Sequence, residues 1–229
     1  SYLCQDRGLV TWHPPTNLGS KVVTKNTRSQ RLYSESITRK KSYLRKVFLK
    51  KRKTISINSY QYSELIANKL MCFINSNPIL KKNKKLGIYW QLGSEVNTKP
   101  ALAALNDYGM KIAILSSEKK SFKFRKWMPN KNIKKNKLGY KLEGPIMESP
   151  DIIVCPLLCF DKDCNRLGRG GGHYDRLLRS YPKSTKIGLA YSQQLAKEVY
   201  SEKHDIQMDA IITEKKIYLN QNDSKESLK

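Results

Sequence analysis

The sequence predicts an α/β fold: a mostly parallel sheet with helices on both faces, in a single domain. Three observations lead there. Short runs of β-branched and apolar residues alternate along the chain with stretches whose apolar residues recur at helical spacing. Such alternation implies right-handed crossovers between parallel strands, covered above and below by helices. The apolar run Asp151 to Phe160 leads into a stretch with four glycines in five residues, from Gly168 to Gly172, and Tyr174, Leu177, Leu178 and Tyr181 then recur at helical spacing. Finally, 229 residues suit one domain with a sizeable core.

Residues 1–37 read as a disordered or extension segment outside the domain. They carry Pro14-Pro15, two glycines and many Ser, Thr and Asn residues, with no sustained periodicity. The folded domain is expected over 38–229. Ile37, Tyr43, Leu44, Val47 and Phe48 fall near one helical stripe. Ser59 to Ile74 is a second amphipathic helix, closed by Asn77-Pro78. Lys85 to Trp90 reads as a strand, with a loop from Gln91 to Asn97. A helix over Thr98 to Tyr108 has Thr98 as its N-cap and Gly109 as its stop. Strands follow at Lys111 to Leu115 and Phe122 to Trp127, then at Asp151 to Phe160, Lys186 to Tyr191 and Ala210 to Thr213. A short helix is expected near Gln194 to Val199. In such sheets ligands sit beyond the carboxyl ends of the strands. The Trp90–Glu95, Arg166–Tyr174 and Tyr191–Gln194 loops should therefore converge.

The net charge of +25 admits two readings, a polyanion-binding face or abundant surface lysine. Lysines outnumber arginines by roughly three to one, and the clusters at Lys81 to Lys85 and Lys131 to Lys137 lack the interleaved aromatics of single-strand binders. They read as a solvated surface. The five cysteines form no CxxC pair, and His13, His173 and His204 are too scattered for a zinc spacing. Free buried thiols suit a reducing compartment, hence a cytoplasmic protein, or an organellar one if residues 1–37 are a transit segment. No apolar run reaches membrane-spanning length, so no membrane partner is expected.

The chemistry concentrates in Asn165-Arg-Leu-Gly-Arg-Gly-Gly-Gly-His-Tyr-Asp-Arg176. It is neither a Walker A sequence nor a Rossmann fingerprint. Glycines let backbone N–H groups converge, a helix start adds a favourable dipole, and Arg166 and Arg169 add charge. This combination suits a phosphate-bearing ligand, and Asp175 is placed to hold Mg2+ against it.

Four segments together resemble the 5-formyltetrahydrofolate cyclo-ligase (5,10-methenyltetrahydrofolate synthetase) family. They are Gly87-Ile-Tyr-Trp-Gln-Leu-Gly-Ser-Glu-Val-Asn-Thr98, Val154-Cys-Pro-Leu-Leu-Cys-Phe-Asp161, the glycine stretch, and Ile187 to Gln194 with His204-Asp205 and Met208 to Glu214. The resemblance implies an ATP- and Mg2+-dependent ligase that cyclises 5-formyltetrahydrofolate to 5,10-methenyltetrahydrofolate, with ADP and phosphate released. ATP is a co-substrate and Mg2+ the metal. The resemblance places Lys41, Arg45 and the loop Arg166, Leu167, Gly168, Arg169, Gly170, Gly171, Gly172, His173 and Tyr174 on ATP. It places Trp90, Glu95 and Arg169 to His173 on the folate, and Asp175 and Asp205 on Mg2+. It singles out no catalytic residue. Phe124 and Trp127 resemble a segment that flanks the substrate. Two other readings are a nucleotide-binding relative without folate activity and a basic nucleic-acid-binding protein.

The chain also departs from the family's pattern. His173 stands where an aromatic residue is usual, and an imidazole can still stack there while bringing a titratable group. Gln91 replaces a common proline, which implies a less rigid folate loop. Pro145-Ile-Met-Glu148, Lys203 and Gln207 also differ.

Overall fold

The strands are β1 (Lys85–Ile88), β2 (Lys111–Glu118), β3 (Ser121–Lys126), β4 (Ile133–Asn136), β5 (Gly139–Leu142) and β6 (Ile152–Pro156), followed by β7 (Cys159–Phe160), β8 (Arg166–Leu167), β9 (Thr185–Leu189), β10 (Ala210–Ile212) and β11 (Ile217–Leu219). The helices are α1 (Arg28–Ile55), α2 (Ser59–Ser76), α3 (Lys99–Asp107) and α4 (His173–Arg179). This computed structural model describes residues 28–55, 59–80, 83–118, 121–136 and 139–220. Seven strands make one sheet in the order β11-β10-β9-β6-β1-β2-β3. The pairs from β10 through β2 are parallel, and the two edge pairs, β10–β11 and β2–β3, are antiparallel.

Period-two alternation divides the central strands between two cores. Leu86, Ile88, Ile152 and Val154 pack with Ile66, Leu70, Leu102 and Leu105 of α2 and α3. Ile153 and Cys155 point the other way, onto Leu177 and Leu178 of α4. Helices therefore cover both faces, as the alternating pattern predicts. Gly87 sits under the Phe124 ring, where a Cβ would come within 2.6 Å of the ring, so only glycine fits.

α1 packs mainly on β7, β8 and the segment near Val199, and its last residue, Ile55, joins the core against the main sheet. It begins at Arg28, ahead of the domain boundary expected at 38. Among its described side chains the buried ones are Ile37, Lys41, Phe48, Arg52 and Ile55, at successive spacings of four, seven, four and three, while Tyr43 is 68% exposed. The inward stripe is thus partly cationic, and two of the five residues expected on it, Tyr43 and Val47, face outward. Cys155, Cys159 and Cys164 are buried free thiols; Cys72 is exposed and Cys4 lies outside the described residues.

Several elements differ from expectation. The apolar run at 151–160 is two strands, because Pro156 supplies no N–H and the carbonyls of Leu157 and Leu158 accept side-chain hydrogen bonds instead. The helix near Gln194 to Val199 is a single 3-10 turn, Ser192–Gln194. Beyond it, Ala196 N–H donates to Phe160 O and Val199 N–H to Asp161, so tertiary partners replace helical ones. The lysine-rich stretch near 131–137 contains β4, which pairs with β5 in a hairpin docked on β2 through Ser116 and Ser117. Thr98 precedes α3 but its hydroxyl caps nothing; the Asn97 carboxamide accepts from Lys99 N–H instead.

Candidate active site

Beyond the carboxyl end of β1 the chain turns through Trp90 to Glu95, and its own side chains pin that loop. Gln91 Nε2 donates to Gly93 O at 3.1 Å and Glu95 O at 3.0 Å. The loop is held by these bonds where a proline would have stiffened it. Leu92 N–H donates to Glu95 Oε2 at 2.9 Å, and Tyr89 Oη donates to Val96 O at 3.0 Å. Glu95 is buried beneath, and Trp90 meets Tyr140 of the β4–β5 hairpin edge-on, with ring centroids 6.4 Å apart.

The glycine loop starts from an Asp161 turn, whose Oδ1 accepts from the N–H groups of Asp163 and Asn165. β7 and β8 then pair antiparallel and release the chain at Gly168. Gly170 has φ +101°, and a Cβ there would lie 3.3 Å from the Arg45 guanidinium. Arg45 Nε donates to Gly168 O at 3.2 Å, so α1 braces the loop. The His173 ring packs on Phe122 with centroids 4.9 Å apart, and its Nδ1 lies 2.9 Å from Arg176 Nη2, which makes Nδ1 the acceptor.

These loops border a cavity of about 740 Å3, within the usual range for small-molecule sites. The residues expected on ATP, the folate and Mg2+ all border it: Lys41, Arg45, Trp90, Glu95, the run Arg166 to Tyr174, Asp175 and Asp205. Arg169 joins its two sides, because Nη2 donates to Leu92 O at 3.1 Å and lies 3.4 Å from Glu95 Oε1. Among the described residues, seven Lys or Arg side chains border the cavity against four carboxylates, so it favours anions. The Tyr191–Gln194 loop does not border it. That loop supports it from behind, with Gln194 Nε2 donating to the carbonyls of Leu157 and Leu158.

The charged groups do not all have the partners first assigned to them. Lys41 Nζ donates to Glu202 Oε2 at 2.5 Å and Asp205 Oδ2 at 2.7 Å. Burial alone would raise the Asp205 carboxyl, but the Lys41 and Glu202 N–H hydrogen bonds outweigh it and hold the group below the usual range. Asp175 Oδ1 accepts from Arg166 Nη2 at 2.6 Å and from Ile206 N–H. The described residues with metal-ligand grouping are Glu202, His204 and Asp205, whose ligand atoms lie within 4.8 Å of one another. Asp175 is not among them.

Phe124 is a core residue packed against Gly87 and Tyr181, and neither it nor Trp127 borders the cavity. Phe122 borders it instead. Sequence reasoning missed Arg52, Phe122, Tyr140, Glu202 and His204. Arg52 had a signal, because it shares a helix face with Lys41 and Arg45 at i, i+4 and i+11. Tyr140 had none, since its strand, Gly139–Leu142, is only four residues long and follows directly on the lysine cluster at 131–137.

A family model described as the 5-formyltetrahydrofolate cyclo-ligase family matches residues 37–214. A 5-formyltetrahydrofolate cyclo-ligase of Haemophilus influenzae is 30% identical over 144 residues, covering 58% of this chain and 76% of that one. One from Mycoplasma genitalium is 32% identical over 176 residues, covering 75% of this chain and 96% of that one. The solved 5,10-methenyltetrahydrofolate synthetase of Aquifex aeolicus superposes with a TM-score of 0.67 at 29% identity, covering 79% of this chain and 93% of that one.

Proposed function

The chain belongs to the 5-formyltetrahydrofolate cyclo-ligase family, and from that membership we propose how its cavity is divided between two substrates. The reaction is the ATP-dependent cyclisation of 5-formyltetrahydrofolate to 5,10-methenyltetrahydrofolate. In this reading Arg45 and the Arg166–Tyr174 loop hold the ATP phosphates, with Lys41 beside them. Trp90 and Glu95 take the pterin, the indole by packing and the carboxylate by accepting N–H groups, and Arg169 to His173 face both substrates. The observation that carries this reading is the Arg169 bridge to Leu92 and Glu95, which sets the glycine loop and the Trp90–Glu95 loop on one cavity.

The chemistry explains the need for ATP. A formamide oxygen is a poor leaving group. Transfer of the γ-phosphoryl group to that oxygen gives an iminium phosphate. The second folate nitrogen attacks the carbon, the C–O bond breaks with phosphate departing, and the nitrogen loses its proton. Little covalent work falls to the protein. It aligns formyl oxygen and γ-phosphorus, and the surrounding arginines stabilise the charge that moves between them.

Mg2+ fits the donor set. It binds through one or two carboxylates plus substrate phosphates and keeps several waters. Glu202 and Asp205, which Lys41 holds together, would supply those oxygens. The ion would neutralise phosphate charge. Asp175, paired with Arg166, acts by orienting that arginine. Among the described residues no helix is long and apolar enough to cross a membrane, and the buried free thiols favour a cytoplasmic setting.

Purified protein given ATP, Mg2+ and 5-formyltetrahydrofolate should develop the near-ultraviolet absorbance of the methenyl product, and should consume ATP only when the folate is present. Absence of product at every Mg2+ concentration refutes the catalytic reading. ATP binding without folate binding selects a relative that has lost the folate chemistry.

A further inference from the structure

We propose that Arg52 is a positioning residue for folate recognition: from behind the Trp90–Glu95 loop, its guanidinium fixes the loop and keeps the Glu95 carboxylate charged. The proposal rests on the reading of Glu95 as the pterin contact.

Arg52 is 1% exposed, an unusual place for a guanidinium. It stands where three elements meet. Its Nε donates to Ser94 Oγ at 3.1 Å, in the folate loop, and its Nη1 donates to Leu157 O at 2.8 Å, just after β6. The same carbonyl accepts from Gln194 Nε2 at 2.8 Å. The side chain of α1 thus clamps the folate loop to the end of the central strand. Its Nη2 is buried with no hydrogen-bond partner, although Arg52 borders the cavity. A buried cation with one donor unmatched is costly, and it is tolerated where a nearby anion offsets it.

That anion is Glu95. Two cations act on the carboxylate, Arg52 from α1 and Arg169 from the glycine loop, and Leu92 N–H donates to it. Tyr89, Tyr174 and Tyr191 also act on or around it, and burial pushes each phenol up, so all three stay neutral. Arg169 has 49% of its side chain exposed, so water screens its charge; Arg52 is shielded from water. Burial raises the Glu95 carboxyl, and the Arg52 charge is the largest force against that rise. Without Arg52 the carboxyl rises further and stays protonated to a higher pH. The pterin then loses its anionic acceptor over a wider acid range.

The test is 5-formyltetrahydrofolate binding by titration calorimetry between pH 5 and 8, for wild type, Arg52→Gln, Arg52→Lys and Glu95→Gln. Binding of an ATP analogue serves as the control for folding. Arg52→Gln should move the acid midpoint of folate binding up by about one pH unit. Arg52→Lys keeps the charge but not the fork, so the midpoint should stay while the dissociation constant rises by about tenfold. An unmoved midpoint in Arg52→Gln overturns the electrostatic role, and wild-type affinity in Arg52→Lys overturns the clamp. Should Arg52→Gln not fold, Ser94→Ala removes the Nε contact alone, and affinity within twofold of wild type overturns the positioning. Unchanged folate affinity in Glu95→Gln refutes Glu95 as the pterin contact, a separate result from any failure at Arg52.

Discussion

Two aromatic residues on one strand face show how narrowly position decides role. Phe122 and Phe124 are two residues apart on β3 and point the same way. Phe124, on the edge strand, pairs across from Leu115 and is buried over Gly87 of β1. Phe122 pairs across from Ser117, two residues further along β2, and there it meets His173 at the cavity. A segment resemblance brought the sequence to this strand and chose Phe124, whereas the ring that borders the cavity is Phe122. The contiguous motif was legible residue by residue, because the glycine loop carries its cations and its helix start within one stretch. Arg169 gives the residue-scale prediction. It bridges the two loops, whereas Lys134 on β4 is exposed and its strand pairs only with β5. Arg169→Ala should lower kcat/KM for ATP by about a hundredfold, whereas Lys134→Ala should stay within about twofold, since only the first charge borders the cavity. Steady-state kinetics at fixed folate distinguishes them, and equal losses would mean that bulk positive charge does the work.

At the scale of elements, α1 is the informative case. Its helical character was legible in the periodicity, and its orientation was not. A stripe chosen by apolarity selects Tyr43 and Val47, yet the helix turns Lys41 and Arg52 inward because acceptors wait there: Glu202 and Asp205 for the first, Ser94 and the Leu157 carbonyl for the second. Those acceptors are distant in sequence, so helical spacing alone could not reveal them. The Lys41 clamp ties α1 to the segment before β10, and it should make acid stability depend on Asp205. Because the folded Asp205 carboxyl lies below its ordinary 3.8, its stabilisation is fully present above that value and is lost as pH falls through the lower folded one. Lys41→Met should therefore cost about 1–3 kcal/mol at neutral pH, discounted for the partial exposure of both acids, and much less near pH 2. Urea unfolding at several pH values measures the convergence. Parallel curves across that range would show that the clamp adds no charge-dependent stability.

For the molecule as a whole, the alternation of strand and helix carried the fold class, since central strands such as β6 are buried along nearly their whole length and read as apolar runs. Of the parts that escaped, β4, β5 and β11 are short strands that are mostly exposed or half-buried, where side-chain pattern is weak, and the buried β8 is only two residues long, too short to show a period. The same contrast bears on the net charge of +25. Seven cations converge on the cavity, whereas Lys134, Lys135 and Lys141 of the β4–β5 hairpin are exposed to solvent. A ligand that binds only the folded state raises stability by about 2.7 kcal/mol at a hundredfold excess over its dissociation constant. MgATP should therefore raise the melting temperature, and 5-formyltetrahydrofolate with a non-hydrolysable ATP analogue should raise it further, because Arg169 couples the two sides of one cavity. Random duplex DNA at physiological salt should give a much smaller shift, since diffuse lysine binds phosphates only through a salt-weakened, sequence-independent attraction. Thermal unfolding followed by tryptophan fluorescence reads all three. A shift with duplex that matches the shift with MgATP would assign the charge to nucleic acid, and independent, non-coupled shifts with the two small ligands would separate the loops that Arg169 is held to join.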